Sequence, residues 1–260
     1  MSATIQFTDV RRVFRGRGGA EHAAVDGVDL LVDSSTRLGI VGESGSGKST
    51  VVRMMLGLDH PTTGSVEFDG VPLASMSAPA LRAFRRQVQL VAQDTSSSFD
   101  PRRTLRDALR KPCHNLLELD TAAADAAIDR TLEALSLDPA LAARKPHQVS
   151  GGQRQRFSIA RALVVEPTVI VCDEAVSALD VSVQGSVLNL LKEHCENHDA
   201  GLVFVSHGLP ATAFISEELV VMYQGRVVER GPVGRVLFET EHPYTQTLVD
   251  AYRVTEGVPS

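Results

Sequence analysis

The chain has 260 residues, 43% of them hydrophobic and 22% charged, with a formal net charge of −6 at neutral pH. This is the composition of a soluble globular protein long enough for one large domain or one with a sizeable insertion. The acidic balance argues against non-specific nucleic-acid binding, which draws on surplus Lys and Arg, and no apolar run approaches the roughly 18 residues needed to span a bilayer.

Met1-Ser-Ala-Thr-Ile-Gln-Phe7 has neither the basic start nor the apolar stretch of a secretory signal, so a cytosolic chain is expected. Cys113, Cys172 and Cys195 are odd in number and lack Cys-x-x-Cys spacing, which argues against a disulfide framework or a metal knuckle. Arg11, Arg12, Arg15 and Arg17 cluster near the start, and Arg82, Arg85, Arg86, Arg102, Arg103, Arg106 and Arg110 spread through the middle. These read as solvated faces, with docking to an acidic partner as the minority reading. Gly16 to Gly19 reads as a flexible turn.

Short β-rich runs follow at Leu38–Val41, Val88–Val91, Val169–Cys172, Leu202–Val205 and Leu219–Tyr223. Four of the five lead directly into a polar motif, as an open α/β sheet requires when ligands bind beyond the carboxyl ends of its strands. A helix is predicted from about Lys48. Between Phe99 and Val164 the sequence becomes Ala- and Leu-rich with helical spacing, and reads as a helical insertion. It opens in the turn-rich Ser96-Ser-Ser-Phe-Asp-Pro101 and closes with a helix from about Gly152 into Leu163, stopped before Pro167, with Ser150 at its N-cap.

Gly42-Glu-Ser-Gly-Ser-Gly-Lys-Ser49 fits G-x-x-x-x-G-K-[ST]. In such a loop glycines permit tight turns, backbone N–H groups point inward at phosphate, and Lys48 neutralises the outer phosphates, aided by the positive end of the following helix. Val169-Ile-Val-Cys-Asp173-Glu174 is an apolar strand ending in two carboxylates. Because neighbouring strand residues point to opposite sides, Asp173 would hold Mg2+ with the Ser49 hydroxyl, and Glu174 would face the terminal phosphate and polarise the attacking water.

Ser150-Gly-Gly-Gln153 has the chemistry of a second phosphate site: a helix N-terminus, two glycines and a hydroxyl donor. One phosphate loop and two phosphate sites imply that the second site of one subunit closes over the nucleotide of another, in a symmetric head-to-tail pair.

With these residues assembled, nearly the whole chain resembles the ATP-binding subunit of an ABC transporter. Gly42 to Thr50 matches the Walker A motif, Val149 to Gln153 the signature motif and Val169 to Glu174 the Walker B motif with its catalytic glutamate. The resemblance implies a P-loop NTPase α/β core at residues 1–95 and 164–235, an inserted helical signature subdomain at 96–163 and a C-terminal tail at 236–260. It implies ATP and Mg2+ as ligands. Nucleotide contacts would come from Phe14, Gly42, Ser44, Gly45, Ser46, Gly47, Lys48, Ser49, Thr50, Ser150, Gly151, Gly152, Gln153 and Asp180. The metal would be held by Ser49, Gln93 and Asp173, and the chemistry carried by Glu174, His207, Gln93 and Lys48. Gln93 resembles the Q-loop glutamine, Ser177-Ala-Leu-Asp180 the D-loop and His207 the switch histidine, while Phe14 stands where an aromatic ring stacks on adenine.

Val41–Thr50, Ser177–Gln184, Gly225-Arg-Val-Val-Glu-Arg-Gly231 and His242-Pro-Tyr-Thr245 resemble the importer subfamily for oligopeptides, dipeptides and nickel. That implies two membrane permease subunits, a second ATPase subunit, identical or paralogous, an extracytoplasmic solute-binding protein and a peripheral place on the cytoplasmic face of the membrane. Alternative readings are a soluble ABC ATPase that regulates or remodels a macromolecule, and a non-hydrolysing scaffold. Four positions depart from the family pattern. Thr95 and Ala175 replace Pro, Gly208 replaces Asp beside His207 and is expected to add backbone freedom there, and Ser35 replaces Gly. With no Cys after Cys195, no iron–sulfur cluster is expected.

Overall fold

The computed structural model describes residues 3–16, 20–93, 98–176 and 181–256. Its elements begin with β1 (Ile5–Arg15), β2 (Glu21–Val32), β3 (Arg37–Val41), α1 (Lys48–Met55), β4 (Thr63–Phe68) and β5 (Val71–Pro72). Then come α2 (Ala78–Gln87), β6 (Val88–Ala92), α3 (Leu105–Leu117), α4 (Thr121–Ala134), α5 (Gly151–Leu163), β7 (Val169–Asp173) and α6 (Val181–Asn197). The chain ends with β8 (Gly201–Ser206), α7 (Leu209–Ile215), β9 (Glu218–Tyr223), β10 (Arg226–Pro232), α8 (Val233–Phe238) and α9 (Pro243–Glu256). It divides into two compact units, Met1–Met76 with Gly201–Ser260, and Ser77–Ala200.

In the first unit β2, β1, β4 and β5 form an antiparallel sheet in that order. Ile5 and Phe7 of β1 and Val28, Leu30 and Val32 of β2 are buried while their neighbours Gln6, Thr8, Asp29 and Leu31 are exposed, the period-two pattern of a sheet with one covered face, and an irregularity in the register shifts the phase before the buried Val10. The pairs Ile5–Val32 and Phe7–Leu30 set the register. None of these strands, nor β10, was expected from the sequence: polar and glycine residues on their solvent sides, such as Gln6, Thr8, Gly27, Asp29 and Arg230, interrupt the apolar runs.

Beside it, β3 pairs in parallel with β8 and β9, and β10 runs antiparallel to β9. The inner strands β3 and β8 are apolar almost throughout and buried, as parallel strands covered on both faces must be. Val236 of α8 and Val249 of α9 pack with Val41, Leu209, Leu219 and Val221, so the last helices complete this core.

The second unit holds the parallel pair β6 and β7 with the helices α2 to α6. Burial falls on one stripe of each of two neighbouring helices: Leu105, Leu109 and Cys113 of α3, and Ala124, Ile128 and Leu132 of α4. Thr104 and Asp107 form a capping box at the start of α3, and Asp120 caps α4. Arg110 clamps Asp125 across the two helices, with Nε at 2.7 Å from one carboxylate oxygen, and Arg106 reaches Asp129 at 2.6 Å. Arginines read as merely solvated are therefore engaged in ion pairs, and in the first unit Arg11 pairs with Asp26 and Arg12 with Asp59.

All five strands expected from the sequence are present, and the helices expected from Lys48 and into Leu163 begin at Lys48 and Gly151. The three cysteines are free and buried, and burial pushes the Cys113 thiol up to about 11, so it stays an unreactive thiol. Among the described residues no helix is long and apolar enough to cross a membrane.

Candidate nucleotide site

The phosphate loop leaves the carboxyl end of β3 and enters α1 at Lys48. Two glycines permit its course. Gly42 has φ 154, and a Cβ there would lie 2.2 Å from the Met222 carbonyl oxygen; Gly47, the N-cap of α1, has φ 105, and a Cβ would lie 2.2 Å from the Ala24 carbonyl oxygen. Inside the curl, Lys48 is only 6% exposed. Its ammonium donates to Gly42 O at 2.6 Å, Glu43 O at 2.8 Å and Ser46 Oγ at 3.3 Å. Ser46 is buried with it, while Ser44, Gly45 and Ser49 face solvent and Thr50 lies in the first turn of α1, its N–H on Gly47 O. The Ser46 carbonyl accepts from Gly225 N–H in the β9–β10 turn, which ties the loop to the sheet.

Strand register decides what stands beside the loop. Val41 pairs with Ser206, so Gly42 and His207 follow paired positions of β3 and β8. His207 is exposed. Gly208, expected to loosen this segment, is held on both sides: its N–H donates to Ser206 Oγ at 3.0 Å and its carbonyl accepts from Thr212 Oγ1 at 2.8 Å. Its φ of −89 is open to any residue. Phe14 on β1 is 41% exposed, with the Arg12 guanidinium 4.5 Å above its ring.

The second unit carries the carboxylates. Ala92 pairs with Asp173, so Gln93 and Glu174 follow paired positions of β6 and β7. The expectation that Asp173 and Glu174 alternate along a strand is corrected: β7 ends at Asp173, and Glu174 takes φ 50 in the left-handed region. The direction of its side chain is therefore set by a turn and not by the pleat. Ala175, which replaces proline, is buried, and its carbonyl accepts from Gln155 Nε2.

At the start of α5, Gln153 N–H donates to Ser150 Oγ at 3.2 Å and Ser150 N–H to Gln153 Oε1 at 2.9 Å, a complete capping box. A Cβ at Gly151 would meet nothing within 4 Å, so the helix end is open to an approaching anion. Ser35 fills its turn without glycine's freedom, its N–H and hydroxyl both donating to Asp33 Oδ1 at 2.8 and 2.7 Å. Thr95 and the segment Ser177–Asp180, with the nucleotide contact expected of Asp180, lie outside the described residues.

A glycine-curled loop around a buried lysine, at a strand-to-helix junction with a carboxylate-ended strand elsewhere in the chain, defines a P-loop nucleotide-binding protein. Comparison with known proteins agrees: residues 25–177 match the family model described as ABC transporter. The chain is 39% identical over 260 residues to the oligopeptide transport ATP-binding protein AppF of Bacillus subtilis (strain 168), covering 96% of this chain and 78% of that one. It is 43% identical over 235 residues to the glutathione import ATP-binding protein GsiA of Escherichia coli (strain K12), covering 90% of this chain and 37% of that one. Among solved structures, the dimeric ATP-binding cassette MJ0796 in a post-hydrolysis state with ADP and Pi superimposes with a TM-score of 0.79 at 27% identity, over 88% of this chain and 98% of that one. The chain belongs to the ABC transporter family, as an ATP-binding cassette with the P-loop ATPase fold.

Proposed function

We propose that the chain hydrolyses ATP to drive an importer of peptides or nickel, working as a pair of cassettes against two membrane permeases fed by an extracytoplasmic solute-binding protein. The observation that carries the nucleotide assignment is the buried Lys48 ammonium held at the mouth of the loop by three oxygens. In this reading Lys48 and the loop amides from Ser44 to Thr50 bind the phosphates, Phe14 stacks on the adenine, and Ser150–Gln153 with Asp180 of a second subunit close the site. Ser49, Gln93 and Asp173 would hold Mg2+, a hard cation suited to such oxygen ligands, which neutralises phosphate charge when bound.

Glu174 accepts a proton from the attacking water, and His207 contacts the terminal phosphate as it is transferred. Catalysis is then positional and electrostatic, from groups held before substrate arrives. Residues 96–163 carry the signature arm in this scheme, and 1–95 with 164–235 the catalytic core. The names of AppF and GsiA support peptide-like cargo. Lys48→Ala tests the assignment: Mg-ATP binding should weaken at least tenfold by calorimetry, and undiminished affinity rejects it. Co-purification with membrane permeases separates the importer from a soluble ABC ATPase.

A further inference from the structure

One peptide unit of the phosphate loop is gripped at both ends by side chains. Gly42 O accepts from Lys48 Nζ at 2.6 Å, and the Glu43 N–H, in the same peptide plane, donates to Tyr244 Oη at 2.8 Å. Tyr244 lies 201 residues further on, in the first turn of α9. Its ring stacks on Tyr223 with centroids 4.2 Å apart and planes at 27°.

The backbone that carries Tyr244 is itself pinned. The Glu229 carboxylate on β10 accepts from Glu241 N–H at 3.0 Å, His242 N–H at 3.2 Å and Thr240 Oγ1 at 3.4 Å, and Tyr244 N–H donates to His242 Nδ1 at 3.2 Å. Burial pushes the Glu229 pKa up, but the Thr245 hydroxyl foremost, with the Glu241 and His242 amides and the Thr240 hydroxyl, outweighs it and the net shift is downward, so the carboxylate stays charged. The phrases Gly225–Gly231 and His242–Thr245 are thus two halves of one joint, and that joint ends on the phosphate loop.

We propose that Tyr244 is a positioning residue for the phosphate loop: it fixes the Gly42–Glu43 peptide and, through that peptide's carbonyl, the Lys48 ammonium. The inference rests on the reading of Gly42–Thr50 as the nucleotide loop. Gly42, without a side chain and at φ 154, is the soft pivot before this peptide, so rotation there would carry its carbonyl away from Lys48. The tyrosine hydroxyl supplies the restraint that glycine lacks, and a preset loop binds polyphosphate without first paying to order itself.

The test is calorimetry of the full chain with Mg-ATP, together with thermal unfolding and amide exchange. Tyr244→Phe keeps the stack and removes only the hydroxyl, and should weaken Mg-ATP binding about three- to tenfold, the worth of one hydrogen bond. Its melting temperature should stay near the parent's, with faster exchange confined to residues 42–47. Glu229→Gln, which loosens the seat of Tyr244, should shift affinity in the same direction, and it carries the test if the first variant does not fold. Unchanged affinity in both variants, with Lys48→Ala still weakened, overturns the positioning role and leaves the nucleotide reading standing. Affinity loss accompanied by exchange across the whole first unit assigns Tyr244 a merely structural role and also overturns it. Unchanged binding in Lys48→Ala rejects the nucleotide reading and this inference with it.

Discussion

Gln155, 3% exposed in α5, donates its side-chain amide to the carbonyl of Ala175, the residue after Glu174. The helix that opens with the signature capping box thus holds the turn that aims the proposed general base. Gln155→Ala should leave that buried carbonyl unpaired, at a cost of about 1–3 kcal/mol in urea unfolding. It should also lower the turnover number while leaving Mg-ATP affinity near the parent's, because the phosphate loop is untouched. A parallel loss of affinity would show that Gln155 acts on binding and not on Glu174.

The glycines of the phosphate loop should not tolerate substitution equally. A Cβ at Gly47 meets the Ala24 carbonyl at 2.2 Å, whereas at Gly45, φ 83, it meets nothing within 4 Å. Gly45→Ala should therefore cost only the left-handed backbone penalty, about 1–2 kcal/mol, in thermal or urea unfolding. Gly47→Ala adds a backbone collision and should cost clearly more, with loss of nucleotide binding. Equal costs at the two positions would contradict the loop geometry.

His194 offers a pH test independent of the site. It is half-buried in the second unit and stacked on His198 with ring centroids 4.3 Å apart, its Nε2 has no hydrogen-bond partner among the described residues, and burial, with the neighbouring histidine, lowers its pKa from 6.5 to about 4. The unfolded chain therefore binds the proton more readily, so the fold keeps its full stability above 6.5 and loses it as pH falls toward 4. His194→Phe removes the titrating group but keeps a ring. Relative to the parent, it should gain about 1–2 kcal/mol on going from about pH 7.5 to about pH 5 in urea unfolding. A pH-independent difference would contradict the assignment.

What was legible in the sequence is what is local in it. Gly42–Ser49 and Ser150–Gln153 name their own geometry because each is one turn of backbone with its ligands or cap in adjacent positions, and β3, β6, β7, β8 and β9 show as short apolar runs because buried parallel strands admit little else. The antiparallel strands β1, β2 and β4 were not legible, since one side of each is solvated and its polar and glycine residues break the apolar run. Nor were Glu43–Tyr244 and Gln155–Ala175, contacts across long stretches of chain whose members look like ordinary polar residues until the fold brings them together. The left-handed turn at Glu174 was missed for another reason: strand alternation was extended one residue past the strand's end.

The central claim is that two copies share each nucleotide, one holding it in the Gly42–Thr50 loop and the other capping it with Ser150–Gln153. Light scattering of Glu174→Gln with saturating Mg-ATP tests it most directly, because removal of the base should stall hydrolysis with the pair closed. Twice the monomer mass with ATP, and a single chain without it or after Lys48→Ala, is the predicted result; a single chain under every condition would contradict the shared site.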